Sequence, residues 1–409
     1  MVFQFPIVCL LAFAPFQNPQ DAPPNATMLR YPDISQSRIV FSYANGLWTV
    51  DKNGGTAQPV ADPPGAEVFA RFSPDGKSIA FLGNYEGNRD IYVTPIDGGI
   101  PKRVTYHPSA ETPADWMRDG RILFSATGMG TYPRAPQILA VSADGGLPTE
   151  FPTPYGANPT VSADGKFLAY TPHSTDTRTW KRYRGGMATD IWVYDLSNNT
   201  AKRVTQWEGT DTIPMWHGDK LYYLCDAGPE HRLNIWACDA QGGNRRQLTK
   251  FTDFDIKWPS IGPDDGSAGE IVFQNGASLM VLNLATRETR TVNVKIPGAR
   301  SKLRPQIIDA SAFIDGWDIS PTGKRAIVAA RGDIWTLPAE NGIPRNLTPT
   351  NGVAEREPTW SPDGKSIAFF DDSTENGYEI FIMPADGTGV KRQLTKSNGA
   401  FKSDLNAID

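Results

Sequence analysis

The sequence is poor in the residues from which most catalytic and metal centres are built. Its 409 residues include 4 histidines and 3 cysteines. A Ser-His-Asp arrangement needs an imidazole within hydrogen-bond reach of a nucleophile and a third group that orients it. His107 and His173 stand beside prolines, His217 falls in a turn and His231 lies in "AGPEHRLN", so all four read as surface loop residues. No serine sits in a G-x-S-x-G elbow, and no catalytic residue is assigned. The acidic stretches "DFDIK" at Asp253 and "PDDGSAG" at Pro263 lack the alternating ligands and closing glutamate of a calcium loop. They read as turn caps, and neither a metal nor any other cofactor is expected.

Charge is equally unassertive. Forty Lys and Arg stand against 45 Asp and Glu, a net charge of −5 with the signs intermixed, so no basic stripe offers itself to nucleic acid. The apolar run from Phe5 to Phe16 is too short to span a bilayer, and no later segment does. Residues 1–28 read instead as an export segment and spacer. Ala12-Phe13-Ala14 offers a small-residue cleavage site, although the segment has no Lys or Arg and Pro15 follows the site directly. A periplasmic or otherwise extracytoplasmic chain is the expectation, and a cytoplasmic one the alternative. Cys9 falls within this segment. Cys225 and Cys238 would pair only if strand register brought them together, and their small apolar neighbours favour buried free thiols.

What the chain has in quantity is glycine (38), proline (34) and aromatics (11%), a balance suited to short strands and tight turns. The string "SPDGKSIAF" occurs at Ser73–Phe81 and again at Ser361–Phe369. Proline presets φ at the second turn position, aspartate caps its own backbone, and glycine accepts positive φ; the apolar letters that follow form a strand. Weaker copies begin at Ser35, Met117, Ser162, His217, Pro263 and Ser320. Each is followed by a second apolar strand, such as "DIYV" at Asp90 or "DIWVYD" at Asp190, and by a closing "KRVT" or "RQLT". Turn glycines Gly76, Gly120 and Gly165 are 44 and 45 residues apart, the period of a four-stranded propeller blade.

Eight meanders therefore predict an all-β fold. The pattern lapses between Lys295 and Ser311, with six copies before and two after. A six-bladed β-propeller over 29–295, a linker over 296–311 and the first two blades of a second, truncated propeller over 312–409 are expected. Asp90, Asp190 and Asp333 recur once per blade and read as turn caps. Trp48, Tyr92, Trp192, Trp236, Trp335 and Phe381 read as packing between blades.

The repeated unit is similar to the WD40-like repeat of TolB-type propellers. The stretches "YPDISQSRIVFSYANGLWTVD" from Tyr31, "RVTYHPSAETPADWMRDGRILFSA" from Arg103, "TWKRYRGGMATDIWVYD" from Thr179 and "QLTKFTDFDIKWPS" from Gln247 more specifically resemble, in the same order, the amino-terminal propeller of tricorn-type peptidases. That resemblance implies a six-bladed and a seven-bladed ring ahead of a serine-peptidase core that shortens small peptides, with the rings filtering passage. The catalytic core is missing from this sequence. The implied role is a non-catalytic gating and substrate-selecting portion, acting on peptides with the missing peptidase core as partner and a homo-oligomer as the possible assembly. The alternative is a TolB-like, non-enzymatic protein-binding scaffold in the periplasm, and a third reading joins the propeller to a prolyl-oligopeptidase-type hydrolase. The insertion "WKRYRGGMATD" should project from the ring. In it, Trp180 and Tyr183 are candidates to stack on a peptide and Arg182 or Arg184 to meet its carboxylate, against the alternative that the loop seals one propeller against its neighbour.

Overall fold

A computed structural model describes residues 25–397 apart from 62–64, 130–131, 179–180, 299–306, 351 and 375–376. The export-like segment therefore lies outside the described residues, as does Trp180. Among the described residues the structure is all-β apart from one 3-10 turn at Ser311–Phe313. Eight four-stranded antiparallel sheets follow one another along the chain, each built from strands in chain order, the first passing over Gly55–Thr56.

The repeated string is the corner between the first and second strands of a sheet. In Ser73–Lys77 the Gly76 amide donates to the Ser73 carbonyl (2.8 Å). The Ser73 hydroxyl donates to Asp75 (2.6 Å) while accepting from the Ser78 amide (2.9 Å), and Asp75 accepts from the Lys77 amide (3.1 Å). The same bonds recur at Ser162–Phe167 and Ser361–Ser366. They hold the carboxyl groups of Asp75, Asp164 and Asp363 below the usual carboxylate range, the serine hydroxyl being the largest cause.

The second strand of each sheet is apolar on both faces because both are covered. In Ser78–Gly83, Ile79 and Phe81 enter a core shared with Val40, Leu47 and Val60 of the preceding sheet. Ala80 enters another, with Ile122 and Phe124 of the following one. Radial stacking thus turns strict alternation into a continuous apolar run. In six of the eight sheets the second strand carries a fully buried aromatic (Phe41, Phe81, Phe124, Tyr223, Phe273 and Phe369), each contributing roughly 2–3 kcal/mol. The recurring third-strand aromatics pair across to this second-strand position: Trp48 with Phe41, Tyr92 with Phe81, Trp192 with Tyr170, Trp236 with Tyr223 and Phe381 with Phe369.

The recurring third-strand acids are edge fasteners. Asp190 accepts from the Trp207 amide (3.1 Å) and Thr205 (3.3 Å), while the Thr205 hydroxyl accepts from the Ile191 amide (2.9 Å). Asn234 with Thr249 and Phe251 repeats the arrangement. Cys225 pairs with Asn234 and Cys238 with Leu221, a four-residue offset of roughly 13 Å along the strands, so the two thiols stay free and buried.

The described strands divide into two compact units. In the first, six sheets have first strands at Arg30–Ile34, Glu67–Phe72, Glu111–Trp116, Ala157–Val161, Asp211–His217 and Ile256–Ile261. Each of these touches the next, and the sixth touches the first, so the sheets close a ring with their first strands around the axis. Closure uses a parallel pair, Gly55–Thr56 with Val294–Lys295. The Ala26 amide also donates to the Val294 carbonyl (2.7 Å) and the Gly55 amide to that of Asn293 (2.8 Å). Val292, Val294 and Ile296 are buried with Leu29, Ile39 and Phe41. The closure therefore draws in residues just outside the expected 29–295 span. The second unit holds two sheets, with first strands Ile314–Ile319 and Glu355–Trp360 packed side by side around the core of Ile327, Ile367 and Phe369.

Candidate functional site

The six first strands of the ring share an irregularity. Each pairing with its second strand shifts register in mid-strand, and the bulged residue has positive φ in five of them: Tyr31 (51°), Phe69 (55°), Asn158 (50°), Ile213 (48°) and Trp258 (52°). In the third strand Pro113 stays paired with Phe124 and the shift falls at Ala114, a proline ring forbidding positive φ at the equivalent position. In four cases proline follows the bulge (Pro32, Pro159, Pro214, Pro259). These strands expose an unpaired edge toward the axis, and a residue without an N–H leaves no orphan donor there. Left-handed backbone at aromatic and β-branched residues costs about 1–3 kcal/mol each and concentrates where binding or mechanism demands it.

The bulge sets side chains inward. Tyr31, Phe69 and Trp258, from the first, second and sixth sheets, meet with ring centroids 4.2, 4.8 and 5.3 Å apart. Two residues further along lies a narrow waist of Asp33, Arg71, Asp115, Thr160, Met215 and Ser260, all at equivalent register. Asp33 accepts from the Phe72 amide and from Ser260 Oγ (both 2.6 Å). Asp115 accepts from Thr160 Oγ1 and the Trp116 amide (both 2.8 Å). Arg71 Nε donates to the Ala114 carbonyl (2.8 Å). Every one of these bonds except that of Trp116 ties neighbouring sheets together. Burial pushes both carboxyl groups up, Asp115 to about 6, while the Arg71 guanidinium opposes the shift.

A cavity opens on either side of this waist, and Asp115 and Ile261 line both. On the side of the Ser-Pro-Asp-Gly turns the volume is about 440 Å³ and the wall is acidic, with Asp75, Asp264 and Asp265 beside Arg118. The turns consume these acids. Asp264 accepts from the Gly218 amide (3.1 Å), and Asp265, lowered to about 2 by its bonds to Ser267, also accepts from Gln36 (2.9 Å). On the other side the volume is about 240 Å³, bounded by Phe69, Trp258, Asn158 and the loop around Asp176. Asp176 is a hub there, accepting from Asn158 (2.7 Å), Ser174 (2.6 Å) and Thr212 (3.0 Å).

The insertion residues named from the sequence lie elsewhere. Arg182 donates to the His231 carbonyl (3.1 Å), and burial pulls its pKa down. Arg184 pairs with buried Asp226 (2.9 Å) and stacks over Trp207 at 5.0 Å. Tyr183 is half-buried. None of the three lines either axial cavity. His217 corrects the expectation of a surface loop: it ends a first strand, is buried, and sets Nε2 3.0 Å from the Ser267 carbonyl. His107 accepts from the Ser109 amide and His173 lies 3.1 Å from the Met187 carbonyl, so these three imidazoles engage backbone rather than a nucleophile. Burial also raises the Cys225 and Cys238 thiols, the latter to about 12, which leaves them unreactive.

Radial four-stranded sheets around a lined axis define this protein as a β-propeller. The family of the Tricorn protease N-terminal beta propeller domain matches residues 26–288, and the chain belongs to it. Tricorn protease homolog 1 of Streptomyces coelicolor is 27% identical over 364 residues, covering 88% of this chain and 33% of that protein. The Tol-Pal system protein TolB of Wolinella succinogenes is 22% identical over 189 residues, 44% of this chain and 42% of that one. The crystal structure of the tricorn protease superposes with a TM-score of 0.58 at 20% identity, over 92% of this chain and 45% of that chain. This chain thus spans about a third of the length of the two Streptomyces coelicolor and the Saccharolobus solfataricus tricorn homologues it matches.

Proposed function

We propose that the chain is the propeller portion of a tricorn-like serine peptidase, selecting short peptides at the ring axis and breaking no bond itself. The observation that carries this reading is the pair of axial cavities that share Asp115 and Ile261 as lining. The waist between them is fixed by hydrogen bonds between sheets rather than by mobile side chains, which suits a size filter. Short peptides of three to six residues should bind the purified chain in isothermal titration calorimetry. Thr160→Trp, which fills the waist and removes its bond to Asp115, should weaken them about tenfold or more while far-UV circular dichroism stays native. Absence of binding, or binding indifferent to Thr160→Trp, overturns the proposal. So does peptide hydrolysis by the chain that a serine substitution abolishes.

The likeness to TolB supports a second reading, a scaffold that holds a folded protein partner at the axis. Calorimetry separates the two, since a scaffold would ignore free tripeptides. The leader-like residues 1–28 support an extracytoplasmic location, which fractionation of cells expressing the full chain would test.

A further inference from the structure

Resting on the peptide reading above, we propose that the 240 Å³ mouth on the side away from the Ser-Pro-Asp-Gly turns selects peptides carrying an aromatic side chain with a carboxylate close beside it. Three observations converge there. Phe69 and Trp258 line the mouth and Tyr31 packs against both, and all three are half-buried and held at positive φ. The positive-φ bulge is common to Asn158, Ile213 and, in the second unit, Glu357, so it is the aromatic side chains rather than the backbone that set these three positions apart. The aromatic half of the mouth therefore offers open ring surface to a flat apolar group.

The opposite half is polar, and each of its acids already accepts a hydrogen bond, with Glu111 Oε1 buried and left without one among the described residues. Asp176 accepts from Asn158, Ser174 and Thr212, Asp115 from Thr160 and Trp116, and Glu111 from Thr105. Arg89 lines the same cavity, is exposed, and has no acidic partner among the described residues. The wall's unused charge is thus a guanidinium, whose planar fork matches a carboxylate. That carboxylate has two sources, an acidic side chain or a free carboxyl terminus.

Calorimetry on the full chain tests this with four peptides: acetyl-Ala-Ala-Ala-amide, acetyl-Ala-Phe-Ala-amide, acetyl-Ala-Phe-Asp-amide and acetyl-Ala-Phe with a free carboxyl. Phenylalanine should improve affinity about tenfold over alanine, and Phe69→Ala should erase that gain. One of the two carboxylate peptides should gain a further three- to tenfold, identifying the source, and Arg89→Gln should remove only this increment. Arg89→Gln alters an exposed side chain, so it keeps the test open if Phe69→Ala fails to fold, and Phe69→Leu serves as the gentler variant. Equal affinity for phenylalanine and alanine peptides, a preference that survives Phe69→Ala, or no carboxylate gain overturns the inference while leaving peptide binding in place. No binding by any of the four overturns the parent reading as well.

Discussion

Glu111 opens the third first strand, where burial raises its carboxyl to about 7 against the opposing effects of the Thr105 hydroxyl, the Ile91 backbone and the Arg103 guanidinium. A raised acid favours folding while protonated. Its contribution is complete below the ordinary glutamate value near 4.5 and disappears as pH climbs through about 7. Urea denaturation should therefore show wild type losing on the order of 2–3 kcal/mol relative to Glu111→Gln between pH 4.5 and 7.5. Two glycines separate conformational from steric cost. Gly76 has φ 68° and open space where a Cβ would sit, so Gly76→Ala should cost about 1 kcal/mol. At Gly54, φ is 97° and a Cβ would lie 2.5 Å from the Asn293 carbonyl oxygen. Gly54→Ala should cost more than about 3 kcal/mol in the same assay, because it pries at the ring's closure.

At the level of the strand, legibility followed local chemistry. The turn-plus-strand string is readable because Ser, Asp and Gly bond within five residues, so their spacing survives in the letters. First strands were opaque: a bulge breaks the two-residue alternation and a proline argues against a strand, so the segment nearest the axis looked least regular. A signal was nonetheless present. Pro32, Pro159, Pro214 and Pro358 each stand three residues ahead of the first turn residue and Pro259 four ahead of Pro263, and the next position holds Asp33, Thr160, Met215, Ser260 and Thr359. Read that way, the waist could have been aligned before any fold was known. The positively charged insertion drew notice instead because its composition is unusual, whereas Arg184 serves buried Asp226. The closing strand gives an element-scale expectation. Val294 is fully buried in the core that joins the sixth sheet to the first, so Val294→Asp should cost more than about 3 kcal/mol and lower the thermal midpoint measured by circular dichroism.

Across the molecule, eight repeats were countable in the letters, but which sheets share an axis depends on contacts between first strands that no single repeat encodes. The second unit carries its own mark. Phe313, Ile314, Trp317 and Ile319 leave an apolar face largely open, Trp317 being 69% exposed. Such a patch should bind the dye ANS, and Trp317→Lys should reduce the fluorescence by half or more while the far-UV spectrum is kept.

Fastening residues 26 and 55 to residues 293 and 294 also has a bearing on biogenesis. A ribosome delivers the opening flank of the circle long before the segment that covers it, so Leu29 and Phe41 must wait, wet and adhesive, through nearly the entire translation of the ring. Nascent chains stalled short of residue 294 should accordingly recruit chaperones, and release should follow once that last ribbon docks.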